Sequence, residues 1–366
     1  VSAVTARPRH VVICGAGVIG AAVAYFLARR GIAVTVVERS GIACAASGKS
    51  GGFLALDWCD GSPLESLARA SFALHADLAR ELGADYGYRR MNTFMMVARE
   101  RGTIPGGHRV EAPQWLDGSG VVASALGSTE TTAQVDPAQF TAALLAASGA
   151  AVKIGVVEDL IQRDGAAVSV RVDGSAIEAD AVVVAMGPWT GRFSGRLRLP
   201  RVHGLKGYSV TLAVDDVPAH ALFVDYHLAD GRRLEPEIFP RPGGEVYICG
   251  MADPAALPDT PEAVTVNEAA CDVLAGAGGR VSSSLASAQV TRRQACYRPV
   301  TDDGLPLIGR IPGLANAYVA TGHGPWGMLN APATGLALAE LIAAGAASLV
   351  DLRPFDPSRL PAARGR

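Results

Sequence analysis

Gly15, Gly17, Gly20 and Glu38 are the residues whose types and spacing point most directly to chemistry. A glycine at 15 permits a tight turn out of a strand, one at 17 lets backbone approach a pyrophosphate, and one at 20 lets a helix lie close to that strand. Val18 and Ile19 open the helix, whose first N–H groups and positive dipole end suit phosphates. Glu38, with Arg39 beside it, falls where a carboxylate accepts hydrogen bonds from both hydroxyls of a ribose and repels a 2′-phosphate. The expected ligand is FAD or NAD and not NADP.

The elements that position these residues follow from the same stretch. Val11 to Cys14 is an apolar run, residues 21–30 form an apolar helix, Gly31 turns the chain, and a second apolar run ends on Glu38. This is the pattern of a βαβ unit.

Composition bounds the rest. The 366 residues are 49% apolar and 19% charged, which fits a large α/β core and predicts two domains. A net charge of −2 offers no footprint for nucleic acid or an anionic membrane. No run of roughly 18 uncharged apolar residues is present, so no transmembrane segment is expected. The six cysteines form no CxxC pair and no metal-ligand spacing, which points to a soluble protein of a reduced intracellular compartment and to no metal. Residues 1–9 lack an initiator methionine and any acid; they are either a chain boundary or the remnant of a transit segment for a plastid or mitochondrion.

Along the chain, a small-residue loop (Cys44 to Ala55) precedes a helix at about 63–82 and a strand at 88–97. Residues 99–132, rich in Gly, Pro and Ser, are expected to be loop or excursion. Asp136 and Pro137 open a helix to about Ser148, as N-cap and first helical residue. Strands follow at 151–157, 168–172 and 181–186. Residues 201–290 change to alternating strands with hairpin turns and no helical crossover, the pattern of an antiparallel sheet. A strand at 316–321 runs into a final apolar helix at about 331–344. The expectation is an α/β fold with a discontinuous dinucleotide-binding domain (9–90, 133–200 and 291–350), an inserted antiparallel substrate domain (91–132 and 201–290), and tails at 1–8 and 353–366.

Three motifs together resemble the superfamily of D-amino-acid oxidase, glycine oxidase and sarcosine oxidase. They are the glycine fingerprint with Glu38, the strand Ala181–Met186 with Gly187-Pro-Trp189, and the segment from Cys296-Tyr-Arg298-Pro to Ile308-Gly, followed by Thr321-Gly322-His323-Gly324 and Ala331-Pro-Ala-Thr-Gly. The resemblance spans nearly the whole chain and is weakest over 99–132. Within the superfamily, the stretches Ser47-Gly-Lys-Ser-Gly-Gly52 and His323-Gly-Pro-Trp-Gly-Met-Leu-Asn330 resemble a fungal and plant branch.

The resemblance implies a glutathione-reductase-like FAD domain and oxidation of the C–N bond of an amino acid or secondary amine by hydride transfer to flavin N5. Electrons then pass to oxygen or another acceptor. The alternatives are a flavin dehydrogenase of another substrate with a non-oxygen acceptor, and a flavin-binding protein with a sorting or assembly role. FAD contacts are expected from Ser47, Gly48, Lys49, Gly51, Gly52 and Leu54 in the loop after the second strand; Lys49 is otherwise a solvent lysine. Further contacts are expected from Val156, Val157, Gly187 and Trp189, and from Gly322, His323, Gly324, Gly327 and Met328 ahead of the last helix. Arg298 falls where the family's amino-acid oxidases hold the substrate carboxylate with a bidentate arginine; the alternative is a structural salt bridge. Cys296 corresponds to the cysteine that carries covalent FAD in sarcosine oxidase, or is inert packing. Glu237 aligns with a substrate-facing tyrosine of glycine oxidase, and strand alternation permits an inward or an outward carboxylate. If it points inward, a basic or amine-rich substrate suits it. His323 either acts in the site or bonds backbone. Trp326, and more weakly Trp58 and Tyr247, either wall the pocket or pack in the core. No lysine accompanies Tyr247 in its strand.

Overall fold

The structure is a computed structural model that describes residues 7–215 and 217–363; residues 1–6, on which the transit-segment expectation falls, lie outside the described residues. Two sheets organise it. The first has six strands in the order Leu307–Arg310, Ala317–Thr321, Ala181–Val184, His10–Cys14, Ala33–Glu38 and Ala151–Ile154. Every neighbouring pair in it is parallel except the outermost, where Leu307–Arg310 runs antiparallel to its neighbour.

Alternation sends the strand side chains to two different coverings. Val11, Ile13, Val36 and Val183 pack under the helices Val18–Ala28, Pro137–Ser148 and Gly327–Ala344, while Val12, Cys14, Val182 and Val184 meet Leu160, Val170 and Val172 of a three-stranded antiparallel sheet over 157–178. Such two-sided burial is why these strands are continuous apolar runs. Asp136 caps its helix, accepting the Gln139 N–H at 2.9 Å, with Pro137 at the first helical position.

The second sheet is the predicted one, extended, but it is mixed and not wholly antiparallel: His220–His227 and Asn92–Arg99 run parallel, and every other neighbouring pair is antiparallel. Its order is Gln289–Thr301, Val202–Ala213, Glu245–Asp253, Glu237–Arg241, His220–His227, Asn92–Arg99 and Val121–Gly127. Three further expectations need correction here. Val121–Gly127 is a strand, not loop, because it pairs with Asn92–Arg99 across a long excursion. Residues 268–281 form a helix capped by Asn267, which accepts the Ala270 N–H at 3.2 Å. Cys271, Leu274, Ala277 and Val281, at helical spacing, close the sheet's outer face. Gln289–Thr301 pairs along its length with Val202–Ala213, so the chain returns to the first sheet after Thr301 rather than at residue 291.

Two further differences concern the C-terminal part. Residues 353–363 are not a loose tail: Phe355 is fully buried and Arg359 pairs with Asp303 at 2.8 Å. The last helix begins at Gly327, four residues before its expected start, with Pro332 inside it. Proline leaves the Met328 carbonyl without its helical N–H partner. The second helix (Glu65–Glu81) repairs the gap. His75 Nε2 donates to the Met328 and Leu329 carbonyls, both at 3.1 Å, and Ser71 Oγ accepts the Ala333 N–H at 3.1 Å. Among the described residues this last helix, taken from Gly324, is the one long and apolar enough to cross a bilayer, and 67% of its apolar window is buried inside the protein.

Candidate active site

A cavity of about 780 Å³ runs between the two sheets, from the first glycine turn to the inner face of the second sheet. Its first end is made of backbone. Gly15 has φ +111°, and a Cβ there would stand 2.5 Å from the Ala185 carbonyl oxygen. Only glycine fits that position. The Glu38 carboxylate accepts the Ala16 N–H at 2.8 Å and the Ser40 N–H at 2.9 Å, so it is anchored across the mouth of the turn with lone pairs to spare. Ser47 Oγ accepts the Val18 N–H at 2.9 Å and docks the small-residue loop on the helix N-terminus.

That loop is held from the other side as well. Its Lys49 carbonyl accepts from the Tyr247 hydroxyl at 2.7 Å, and the Ser50 carbonyl accepts from Arg241 at 2.7 Å. Lys49 Nζ donates to the Ala295 carbonyl at 3.3 Å. Both sheets therefore grip one loop, and the loop forms the cavity's waist.

The far end is made of side chains. Arg298 leans over Gly207 of the neighbouring strand: a Cβ at 207 would meet the Gly250 carbonyl oxygen at 3.8 Å and Arg298 Nη2 at 3.9 Å. Arg298 is half-buried and forms no ion pair among the described residues. Glu237 turns inward, lines the cavity, and accepts from the Cys249 thiol at 3.6 Å. Burial pushes its carboxyl pKa up, while Arg298 pulls it down. Cys296 lines the same space, and burial raises its thiol too, opposed by Lys49 and Arg298. His323 is buried; Nε2 meets Thr334 Oγ1 at 3.1 Å, and desolvation lowers its pKa to about 3. It is thus a neutral hydrogen-bonding group near neutral pH, not a proton carrier.

The cavity brings together Gly15, Gly17, Val18, Ile19, Glu38, Arg39, Ser47, Lys49, Gly51, Val156, Val157, Gly187, Trp189, Tyr247, Cys296, Arg298, His323, Gly324, Gly327 and Met328. Seven predicted residues, Trp58 among them, lie outside its lining. A Cβ on Gly20 would strike the Gly15 carbonyl oxygen at 2.0 Å, on Gly48 that of Ala43 at 2.2 Å, and on Gly52 that of Val135 at 2.0 Å; on Gly322 it would meet the Thr301 methyl at 2.8 Å. These four glycines serve close packing. Leu54 is fully buried in a short strand, and Trp326 packs edge-on to Trp58 with ring centroids 6.5 Å apart. Tyr247 lines the cavity but spends its hydroxyl on Lys49, so it positions the loop. Trp189 likewise commits its indole N–H to the Pro258 carbonyl at 3.0 Å.

Sequence reasoning missed Gly207, Cys249 and Glu235. Gly207 and Cys249 line the cavity from strands of the second sheet, and Glu235 from the connection just before Glu237–Arg241. Nearness in sequence to Glu237 was the signal for Glu235; the other two are set by pairing between distant segments.

The cavity suits a dinucleotide by its own features. Its lining is rich in glycine at the first end, and Ser50 Oγ and His323 Nδ1, buried polar atoms of two lining residues, have no partner among the described residues. Such orphaned groups call for a hydrogen-bonding ligand.

Comparison with known proteins agrees. The family model described as "DAO: FAD dependent oxidoreductase" matches residues 10–341. A Schizosaccharomyces pombe protein named only as an oxidoreductase is 31% identical over 384 residues, covering 95% of this chain and 98% of that protein. The glycine oxidase of Geobacillus kaustophilus is 28% identical over 376 residues, covering 95% of this chain and 96% of that one. A crystal structure of glycine oxidase from Geobacillus kaustophilus superposes with a TM-score of 0.77 at 26% identity, covering 97% of this chain and 100% of that chain.

Proposed function

Since the chain belongs to the DAO family of FAD-dependent oxidoreductases, we propose that it oxidises the C–N bond of an amino acid or secondary amine to the imine. When bound, FAD supplies the two-electron acceptor for the hydride that leaves the carbon beside nitrogen. The N–H proton goes to solvent, and water converts the released imine to a carbonyl compound and an amine.

The protein's share of this work is binding, orientation and field. The Arg298 guanidinium carries the reading: it is half-buried, faces the cavity and lacks a carboxylate partner among the described residues. A planar fork left in that state suits a substrate carboxylate. That anchor turns the carbon next to nitrogen toward the waist formed by Lys49, Ser50 and Gly51. A neutral His323 adds a hydrogen-bonding Nδ1, and the start of the last helix at Gly327 and Met328 directs its dipole into the same space. No side-chain base is required if the reacting amine arrives neutral. The related glycine oxidases, named for a substrate with both a carboxylate and a C–N bond, support the assignment.

An anaerobic screen of amino acids, N-methyl amino acids and polyamines, read as bleaching of the oxidised flavin band, tests it. Bleaching by carboxylate-bearing amines is expected; flavin that stays oxidised with every compound overturns the proposal. Peroxide formed in air, compared with reduction of a quinone, then separates an oxidase from a dehydrogenase.

A further inference from the structure

Resting on that reading of the site, we infer that the substrate carries a second, positively charged group besides its carboxylate, and that Glu237 is the side chain that selects for it. Strand alternation sets the geometry. Residues 237 and 239 share one face of the strand Glu237–Arg241, with Glu237 in the cavity wall and Phe239 packed beneath Gly51, while Glu235 lines the cavity from the connection just before that strand.

Once Glu237 is ionised, it and Arg298 are opposite charges in one enclosure that form no ion pair among the described residues. Glu237 is hydrogen-bonded by the Cys249 thiol, and no cationic side chain of the described residues lies within ion-pair distance of it. Arg298 is close enough for its field to act on Glu237, yet it too is unpaired. Gly207 leaves the floor under the guanidinium bare. Two partly dehydrated charges held apart cost free energy that the protein alone does not recover. A ligand bearing both charges recovers it.

A neutral aliphatic amino acid satisfies only Arg298. The reacting nitrogen is a poor partner for Glu237, because a carboxylate beside it would hold it as ammonium, without the lone pair that imine formation needs. The fitting class is an amino acid, or N-alkyl amino acid, whose side chain ends in an amine or guanidine. The groups that face Glu237 are Cys249 on the adjacent strand, Arg298 beyond it and Glu235 two residues before. With its pKa raised by burial, the carboxyl must lose its proton to receive a cation, so affinity for a cationic ligand rises with pH through its titration.

The test titrates the purified flavoprotein without oxygen, using ornithine against norvaline and lysine against norleucine, in both enantiomers, with the flavin spectrum as readout. In at least one pair the cationic member should bind roughly 10- to 100-fold tighter. Glu237→Gln should bring the two members within about threefold of each other, because the amide keeps the shape and drops the charge. Equal or tighter binding of norvaline and norleucine by the wild type overturns the inference, as does a preference that survives in Glu237→Gln. If that variant does not fold, the wild-type preference and its increase with pH still decide the matter. Bleaching by neutral amino acids with no cationic preference sinks this inference and leaves C–N oxidation standing; flavin untouched by every amine sinks both.

Discussion

The two ends of the cavity are built from different materials. At the glycine turn the walls are backbone: Gly15 lies against Ala185, and the Glu38 carboxylate is tied to the Ala16 and Ser40 N–H groups. At the second sheet the walls are single side chains, Arg298 and Glu237, without ion-pair partners among the described residues. A backbone wall tolerates almost no added atom, whereas a side-chain wall can be rebuilt one residue at a time. The cofactor end should therefore fail as a unit, and the substrate end should change specificity without losing flavin.

The strongest way to break that contrast is Gly15→Ala. Its methyl has no room beside the Ala185 carbonyl oxygen, 2.5 Å away, and the positive φ is strained for any other residue. Loss of bound FAD and of folded yield is expected, read as the ratio of flavin to protein absorbance. Flavin retained at the wild-type ratio would show that the turn is not the binding element.

Next in size is Arg298→Ala, expected to lower kcat/KM for carboxylate substrates by roughly 10²- to 10³-fold while flavin content stays normal. Unchanged kinetics would remove Arg298 from the site. Flavin lost along with activity would erase the division between the ends. Glu38→Gln should act on the opposite side, weakening FAD about tenfold through loss of charge-assisted hydrogen bonds, with KM for substrate held constant. Apoprotein titration with FAD measures it.

The smallest effect should come from behind the site. His75 is fully buried, its pKa lowered from 6.5 to about 4 by desolvation, and it hydrogen-bonds the start of the last helix from outside the cavity lining. A depressed histidine binds its proton more readily in the unfolded chain. Stability from this group is therefore present above the unfolded value and is lost as pH falls from 6.5 toward 4. His75→Gln should flatten the acid limb by up to about 1.4 kcal/mol per pH unit. Denaturant melts at several pH values would check it, and an unaltered slope would mean that His75 is not the titrating group.

How much of this could be seen in the chain alone follows the same division. Gly15, Gly17 and Glu38 sit within one βαβ unit, so their spacing along the chain is close to their spacing in space. The strands at 10–14, 33–38 and 181–184 were legible because burial on both faces leaves continuous apolar runs. Arg298 and Glu237 were noticed by residue type and by likeness to a family, but the direction of Glu237 was open, since alternation gives a period and not a side. Tertiary pairing decided it, by setting residue 237 opposite Cys249 and placing that pair on the cavity face. The same holds for the strand at 121–127, whose partner is an excursion away, and for Pro332, which stops a helix in isolation but here finds His75 and Ser71 to take up its broken bonds. Local geometry is written in neighbouring residues; which charge faces which depends on segments far apart in the chain, and only folding brings those together.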